Sequence, residues 1–439
     1  MEQINKYRQY LKDLLGLALP LFIGSLGHTI IGACDVLVIA KYNVKSLAAV
    51  SIANSIFFII MIAGIGVIAA VSIILPRYRG EKKNTKQYLF STLVLSALLS
   101  ALFAVISYCV TFIIPYINIE KELIPYIQEY IAIVSFSMFG IFIFEGIRQF
   151  LQSFEIVKMP NLLVLAAAVL NLIADIAFVF GWGFIPEMGS KGAAIATLLV
   201  RTLMSISLLI YVLKRINMKL NFDFSYIKTV IKTGVPIGIA LVLEFTAFNI
   251  VTVLAGIEKS IFAAVHSILI TISNAVFMVP FALSTALSVK VAYYCGADKP
   301  EDVKNYSFTA ICFVLGFMAF VSLILSLFPE QIISIFTSDE AIMDIAVPLI
   351  SILAAYQIFD GLQSVTGGIL KGFKLTKTVS LTVLAGYWLI GAPIAFILVS
   401  KFGMQLKGYW IALAMSLFSM GLMQSVIAKN NFKRLFTKF

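Results

Sequence analysis

The sequence predicts an all-α integral membrane protein with twelve transmembrane helices in two pseudo-twofold-related six-helix bundles. Three observations predict it. Of the 439 residues, 61% are hydrophobic and only 13% charged, with a mean hydropathy of +1.00, whereas soluble domains carry roughly a quarter charged residues. The apolar residues fall in runs long enough to cross a bilayer, which takes about 20 residues of helix. The second half of the chain also echoes the first.

The apolar runs are helices because unpaired backbone is not tolerated in hydrocarbon, which leaves helices or closed barrels. Barrel strands would alternate apolar and polar residues, and these runs do not. Splitting at the polar loops gives spans at 14–40, 47–76, 88–114, 124–150, 160–182, 191–214, 228–255, 262–292, 304–328, 343–370, 377–400 and 406–428. Orientation follows from Lys and Arg, which accumulate on the cytoplasmic side. The two ends and the loops after even-numbered spans hold 24 of the 33, and the loops after odd-numbered spans hold 7. Both termini are therefore expected in the cytoplasm, with the chain multi-pass in the cell (inner) membrane. Ile31-Gly32-Ala33-Cys34 has the look of a lipoprotein cleavage box, but Pro20 and His28 interrupt the apolar region such a signal needs. The first span is expected to be retained.

The repeat aligns Pro20 with Pro236, Leu47-Ala48-Ala49-Val50 with Phe262-Ala263-Ala264-Val265, and Lys191-Gly192 with Lys407-Gly408. Each half holds six spans and enters from the same side, so the repeat is parallel and its axis runs along the membrane normal. The expected division is an amino-terminal lobe at 1–214, a linker at 215–227 and a carboxyl-terminal lobe at 228–439. Lys214, Arg215, Lys219 and Lys228 make the linker region basic.

The net charge of +11 sits in short loops between apolar spans, without a basic stripe interleaved with aromatics, so no nucleic-acid partner is expected. The four cysteines, Cys34, Cys109, Cys295 and Cys312, show no paired spacing and read as small core residues. No HExxH or GxSxG pattern supports a metal site or a hydrolase. His28 and His266 are expected to be satisfied core groups.

Ionisable residues inside spans carry the functional signal. Asp35, Glu145, Asp175, Glu244 and Asp360 lie within apolar runs, with Arg148 and Arg201 as the basic residues there. A carboxylate at a membrane helix centre costs about 2.5–3.5 kcal/mol on insertion scales. Such groups face a watery cavity, hold a cation or carry protons. Glu145 and Arg148, three residues apart, read as a structural ion pair. Asp35 and Asp175 have no basic neighbour in sequence and read as a cation or proton site. Glu244 and Asp360 read as a substrate or second cation site, and Arg201 can neutralise one of these acids.

With these residues placed, nearly the whole chain resembles the multidrug and toxic compound extrusion (MATE) family. The residues carrying the resemblance are Pro20 with Asp35, the run from Glu145 to Gln152, and Asn171 with Asp175. They continue with the loop from Pro186 to Thr197, Gly234 and Pro236 followed by Glu244, and Asp360-Gly361-Leu362-Gln363 leading to Gly372. The resemblance implies two lobes flanking a central cavity and an outward/inward rocking cycle. It implies a cation- or proton-coupling site at the positions matching Asp35, Asn171, Asp175, Thr197 and Tyr130, as in one branch. In a sodium-coupled branch the matching positions are Glu244 and Asp360. It further implies no cofactor, H⁺ or Na⁺ as the coupling ion, amphipathic and mostly cationic small-molecule substrates, contact with membrane lipids, a monomer, and no enzyme activity. His28 stands where the family often has Gln.

The nearest alternative is a lipid-linked saccharide flippase of the same superfamily. Such proteins usually need basic cavity residues to hold pyrophosphate, and here five acids face two arginines. A membrane enzyme would need a nucleophile, a metal or a histidine-rich face at one rim, and none is seen.

Overall fold

The computed structural model of the chain describes residues 2–116, 119–183, 185–216 and 220–436. Lys219 of the basic linker and Lys438 near the C-terminus lie outside them. Among the described residues are twelve helices long and apolar enough to cross a membrane. They are α1 (Asn5–Tyr42), α2 (Val44–Gly80), α3 (Thr85–Tyr116), α4 (Ile124–Gln152), α5 (Lys158–Phe180) and α6 (Gly189–Arg215), followed by α7 (Phe224–Glu258), α8 (Ser260–Gly296), α9 (Pro300–Leu327), α10 (Glu340–Gly372), α11 (Thr376–Lys401) and α12 (Gln405–Leu435).

Several helices outrun their predicted spans, and the first does so most clearly. α1 continues through the polar stretch before residue 14 because that stretch is docked. Tyr10, Leu14 and Leu17 are buried. The Tyr10 hydroxyl donates to Asp302 Oδ1 at 2.6 Å, the Tyr306 hydroxyl donates to Asp13 Oδ2 at 3.1 Å, and the two rings meet edge-on at 4.5 Å. Hydropathy marks the membrane-crossing part of a helix and is blind to a docked extension.

Packing divides the chain into two compact units, one of Pro20–Gly238 and one of Met1–Leu19 with Ile239–Phe439. This differs from a cut at the linker, since α1 and α7 each contribute residues to both units. The changeovers fall at Pro20 and just after Pro236, the prolines that the repeat aligns, and both lie inside helices. A proline removes a backbone donor and loosens the helix there.

In the unit Pro20–Gly238, α7 begins with a polar anchor. Ser91 Oγ accepts from the Asp223 N–H at 2.9 Å, Thr92 and Tyr226 share a hydroxyl hydrogen bond at 2.9 Å, and Tyr226 stacks on Tyr88 at 4.6 Å. Further along, α2 and α7 touch backbone to backbone. A Cβ on Gly66 would sit 2.4 Å from the Cα of Gly238, so neither position admits a side chain without separating the helices.

The other unit is organised around a buried aromatic core in which Trp410 packs on His266 and Tyr356, at 5.5 and 5.6 Å between ring centres. Its α11 departs from the plain α-helix expected, being π-helical at Leu384–Gly391 and Ile397–Lys401. Pro393 lies between the two wide turns and cannot donate the usual backbone bond. The four cysteines are free thiols.

Candidate functional site

Asp35 on α1, Asn171 and Asp175 on α5 and Thr197 on α6 converge inside the unit Pro20–Gly238. Asn171 and Asp175 are four residues apart and share one helix face. The Asn171 amide donates from Nδ2 to Asp35 Oδ1 at 2.5 Å and to Asp175 Oδ2 at 2.7 Å. Thr197 donates to Asp35 Oδ2 at the longer distance of 3.4 Å. Asp175 and Asn171 are completely enclosed, and Asp35 is 4% exposed. The two carboxyls also act on one another's charge.

Donors and acceptors do not balance here. An amide offers two N–H donors and an ionised carboxylate only accepts. Both Asn171 donors point at carboxylates, while Asn171 Oδ1 and Asp175 Oδ1 are buried without a hydrogen-bond partner. Two acidic groups bridged by one amide, with buried oxygens that no donor fills, make a place for a positive charge. An oxygen-only set suits a proton shared between carboxyls or a hard cation such as Na⁺. No group of three or more His, Cys, Asp or Glu side chains that could hold a metal ion occurs among the described residues.

Tyr130 is buried on α4, but its hydroxyl donates to Asn54 Oδ1 at 3.1 Å rather than to either carboxylate. Glu145 accepts from Arg148 Nε at 3.1 Å and Nη2 at 2.8 Å, and its other oxygen lies 4.0 Å from His28 Nε2. None of these three residues hydrogen-bonds to Asp35 or Asp175 among the described residues. His28 departs from the expectation of a satisfied core group, since its side chain is 41% exposed.

The second acid pair is built differently. Glu244 on α7 and Asp360 on α10 belong to the same unit and feel one another electrostatically. The Tyr387 hydroxyl, on a π turn of α11, approaches Glu244 without closing a hydrogen bond. The same unit holds Gln357 and His266, each fully buried, whose side-chain nitrogens and oxygen have no partner. The expectation that His266 is satisfied is met only weakly: its ring packs on Trp410 and approaches the Phe248 backbone, but neither nitrogen closes a hydrogen bond.

Two basic residues gain meaning from the fold. Lys371, counted with the loops by charge bookkeeping, lies in the last turn of α10 and acts electrostatically on Glu244. Arg201 lies one turn beyond Thr197 on α6, close enough for its charge to act on Asp35. Arg201 was visible in the sequence as a charge inside a span, and its four-residue spacing from Thr197 points to Asp35 as the acid it faces; Lys371 gave no such signal.

The MatE family model matches residues 20–177 and 236–397, two segments that begin at the prolines aligned by the repeat. The chain is 28% identical to a probable multidrug resistance protein NorM of Photorhabdus laumondii, with 98% of this chain and 97% of the relative covered. Among solved structures, it superposes on a MATE protein in the bent conformation with a TM-score of 0.91 at 18% identity, covering 98% of this chain and 97% of the other. It also superposes on the outward-facing conformation of a multidrug resistance MATE family transporter of the MOP superfamily, with a TM-score of 0.88 at 19% identity, covering 97% and 96%.

Proposed function

We infer that this chain, which belongs to the MatE family, is a secondary active multidrug efflux transporter. It exchanges external H⁺ or Na⁺ for cytoplasmic amphipathic, mostly cationic small molecules by alternating access. The observation that carries this reading is the pair Asp35 and Asp175, buried inside a membrane-spanning unit and held together by one asparagine amide. The relationship to NorM proteins supports drug-like cargo.

Two buried negative charges are unstable in a low dielectric unless compensated. In the outward-facing state the cluster takes a cation from outside, which neutralises it and lets the cavity close. In the inward-facing state the cation leaves and negative charge returns. Glu244 and Asp360 contact the positive group of the substrate, and differential affinity in the two states drives the exchange. The protein acts as a monomer in the inner membrane with both termini cytoplasmic, a placement supported by the distribution of Lys and Arg. Its functional lobes are 1–214 and 228–439, joined by the linker.

Ethidium efflux from proteoliposomes under separately imposed H⁺ and Na⁺ gradients tests the reading. Efflux driven by one of the two gradients is expected. Equal efflux with neither gradient present would remove coupled exchange.

A further inference from the structure

Arg201 is placed with care for a residue in a membrane-spanning helix. It lies one turn from Thr197 on the same face of α6. Its backbone is pressed against α4, where a Cβ on Gly140 would meet the Arg201 carbonyl oxygen at 2.7 Å. The guanidinium donates from Nη1 to Ser137 Oγ at 2.8 Å and lies 5.4 Å from the centre of the Phe57 ring, a cation–π contact. A guanidinium has five donors, and the structure gives it this one hydrogen bond and no salt bridge. The charge is thus anchored by neutral groups beside the carboxylate cluster and left uncancelled by any direct ion pair.

Asp35 of α1 and Tyr130 of α4 interact electrostatically with Arg201, as does His28 of α1; Asp175 of α5 is joined to Asp35 through the Asn171 amide, and Glu145 is already engaged by Arg148. With Asp35 and Asp175 ionised, Arg201 reduces the local charge from two negatives to one. A single monovalent cation then makes the cluster neutral, and a second would leave a buried positive charge.

We propose that Arg201 is the resident counter-charge of the Asp35–Asp175 pair and fixes its demand at one coupling cation per cycle. This rests on the reading of that pair as the coupling site. Arg201 acts through the carboxylates, so it is a positioning residue and contacts neither cation nor substrate. Its requirement is a positive charge at that place, not a planar guanidinium.

The test uses the full chain in proteoliposomes, with ethidium efflux recorded against the concentration of whichever cation, H⁺ or Na⁺, drives the wild type. Wild type and Arg201→Lys are expected to show first-order cation dependence with the same half-maximal concentration. Arg201→Gln is expected to lower that concentration about tenfold, the effect of removing one unit of nearby charge, and to raise the apparent order toward two. An Arg201→Gln curve that superposes on wild type overturns the proposal, as does a folded Arg201→Lys protein that loses wild-type dependence. Should the Gln variant not fold, the Lys variant alone decides. A change in Arg201→Gln confined to the affinity for carboxylate-bearing substrates, with cation dependence intact, also overturns it and points to an anion subsite. Asp35→Asn separates the two levels of inference: if it keeps wild-type cation dependence, the coupling site itself is misplaced, whatever Arg201 does.

Discussion

The two buried acid pairs show how differently similar sequence signals are resolved in space. Asp35 and Asp175 are joined through one amide, with a hydroxyl on the remaining side of Asp35. Glu244 and Asp360 share no such bridge; buried polar atoms without partners occur in both units, at Asn171 and Asp175 in the first and at Tyr387 and Gln357 in the second. The first arrangement is compact, so a charge added at one carboxyl acts on both. The second lacks that bridge, so each carboxyl can meet a positive group separately, which suits the proposed contact with a larger cation.

The largest effect expected from this contrast is at the compact pair. Asp35→Asn and Asp175→Asn should each reduce cation-driven ethidium efflux to background while leaving the protein folded, because the amide keeps the size but cannot exchange charge. Either variant transporting at the wild-type rate with unchanged ion dependence would break the distinction between the pairs.

An intermediate effect is expected at the second pair. On the proposed reading Glu244→Gln removes one of two charges that face a cationic substrate and should weaken ethidium affinity about tenfold, the scale of one charge contact screened nearly as in water. Cation-driven transport of a neutral substrate should remain measurable in that variant. A wild type driven by Na⁺ alone, combined with loss of Na⁺-dependent transport in Glu244→Gln, would assign coupling to the second unit instead.

The unpartnered groups of the second unit sharpen the comparison further. Burying an amide without hydrogen bonds costs about 1–3 kcal/mol, and an apolar group of similar shape avoids that cost. Gln357→Leu should therefore leave the thermal midpoint of the purified protein unchanged or raised. A clear fall would show that the Gln357 amide is satisfied by a bound species, which would make it part of the second site.

Which of these features could be read from the sequence follows from their physical range. The twelve helices were legible because hydrophobicity over about 20 residues is a local property, and the docked start of α1 escaped because its burial depends on Asp302 and Tyr306, nearly 300 residues away. The acids were visible one by one as charges out of place. Their grouping came only through the family resemblance, which set Asp35 with Asn171, Asp175 and Thr197; nothing local shows that one amide joins the first pair while Asp360 makes no comparable bridge. Lys371 shows the same limit: a lysine at the end of an apolar run looks like a loop residue until α10 continues through it. His266 shows the converse, because a buried histidine is expected to find good partners, and only the packing shows that its ring lies on Trp410 with no more than an approach to the Phe248 backbone.

The smallest effect is expected where charge is exposed, which tests whether burial is what gives the acid pairs their weight. Lys45, at the start of α2, donates to Glu122 in the segment before α4, and both side chains are more than half exposed. The hydrogen bond from Lys45, with the attraction of its ammonium, holds the Glu122 carboxyl below the usual carboxylate range. A carboxyl with a lowered folded-state value contributes stability above its unfolded value, and that contribution is lost as pH falls through the folded value. Any stabilisation from the pair is thus present at neutral pH and gone once Glu122 is protonated. Solvent and salt screen an exposed pair strongly. Glu122→Gln should shift the thermal midpoint at pH 7 by no more than about 1 °C, and raising the salt concentration or acidifying below the carboxylate range should erase even that difference. A shift of several degrees that survives high salt would show that a surface charge in this protein carries as much weight as a buried one, and the argument from burial at Asp35 and Asp175 would lose its basis.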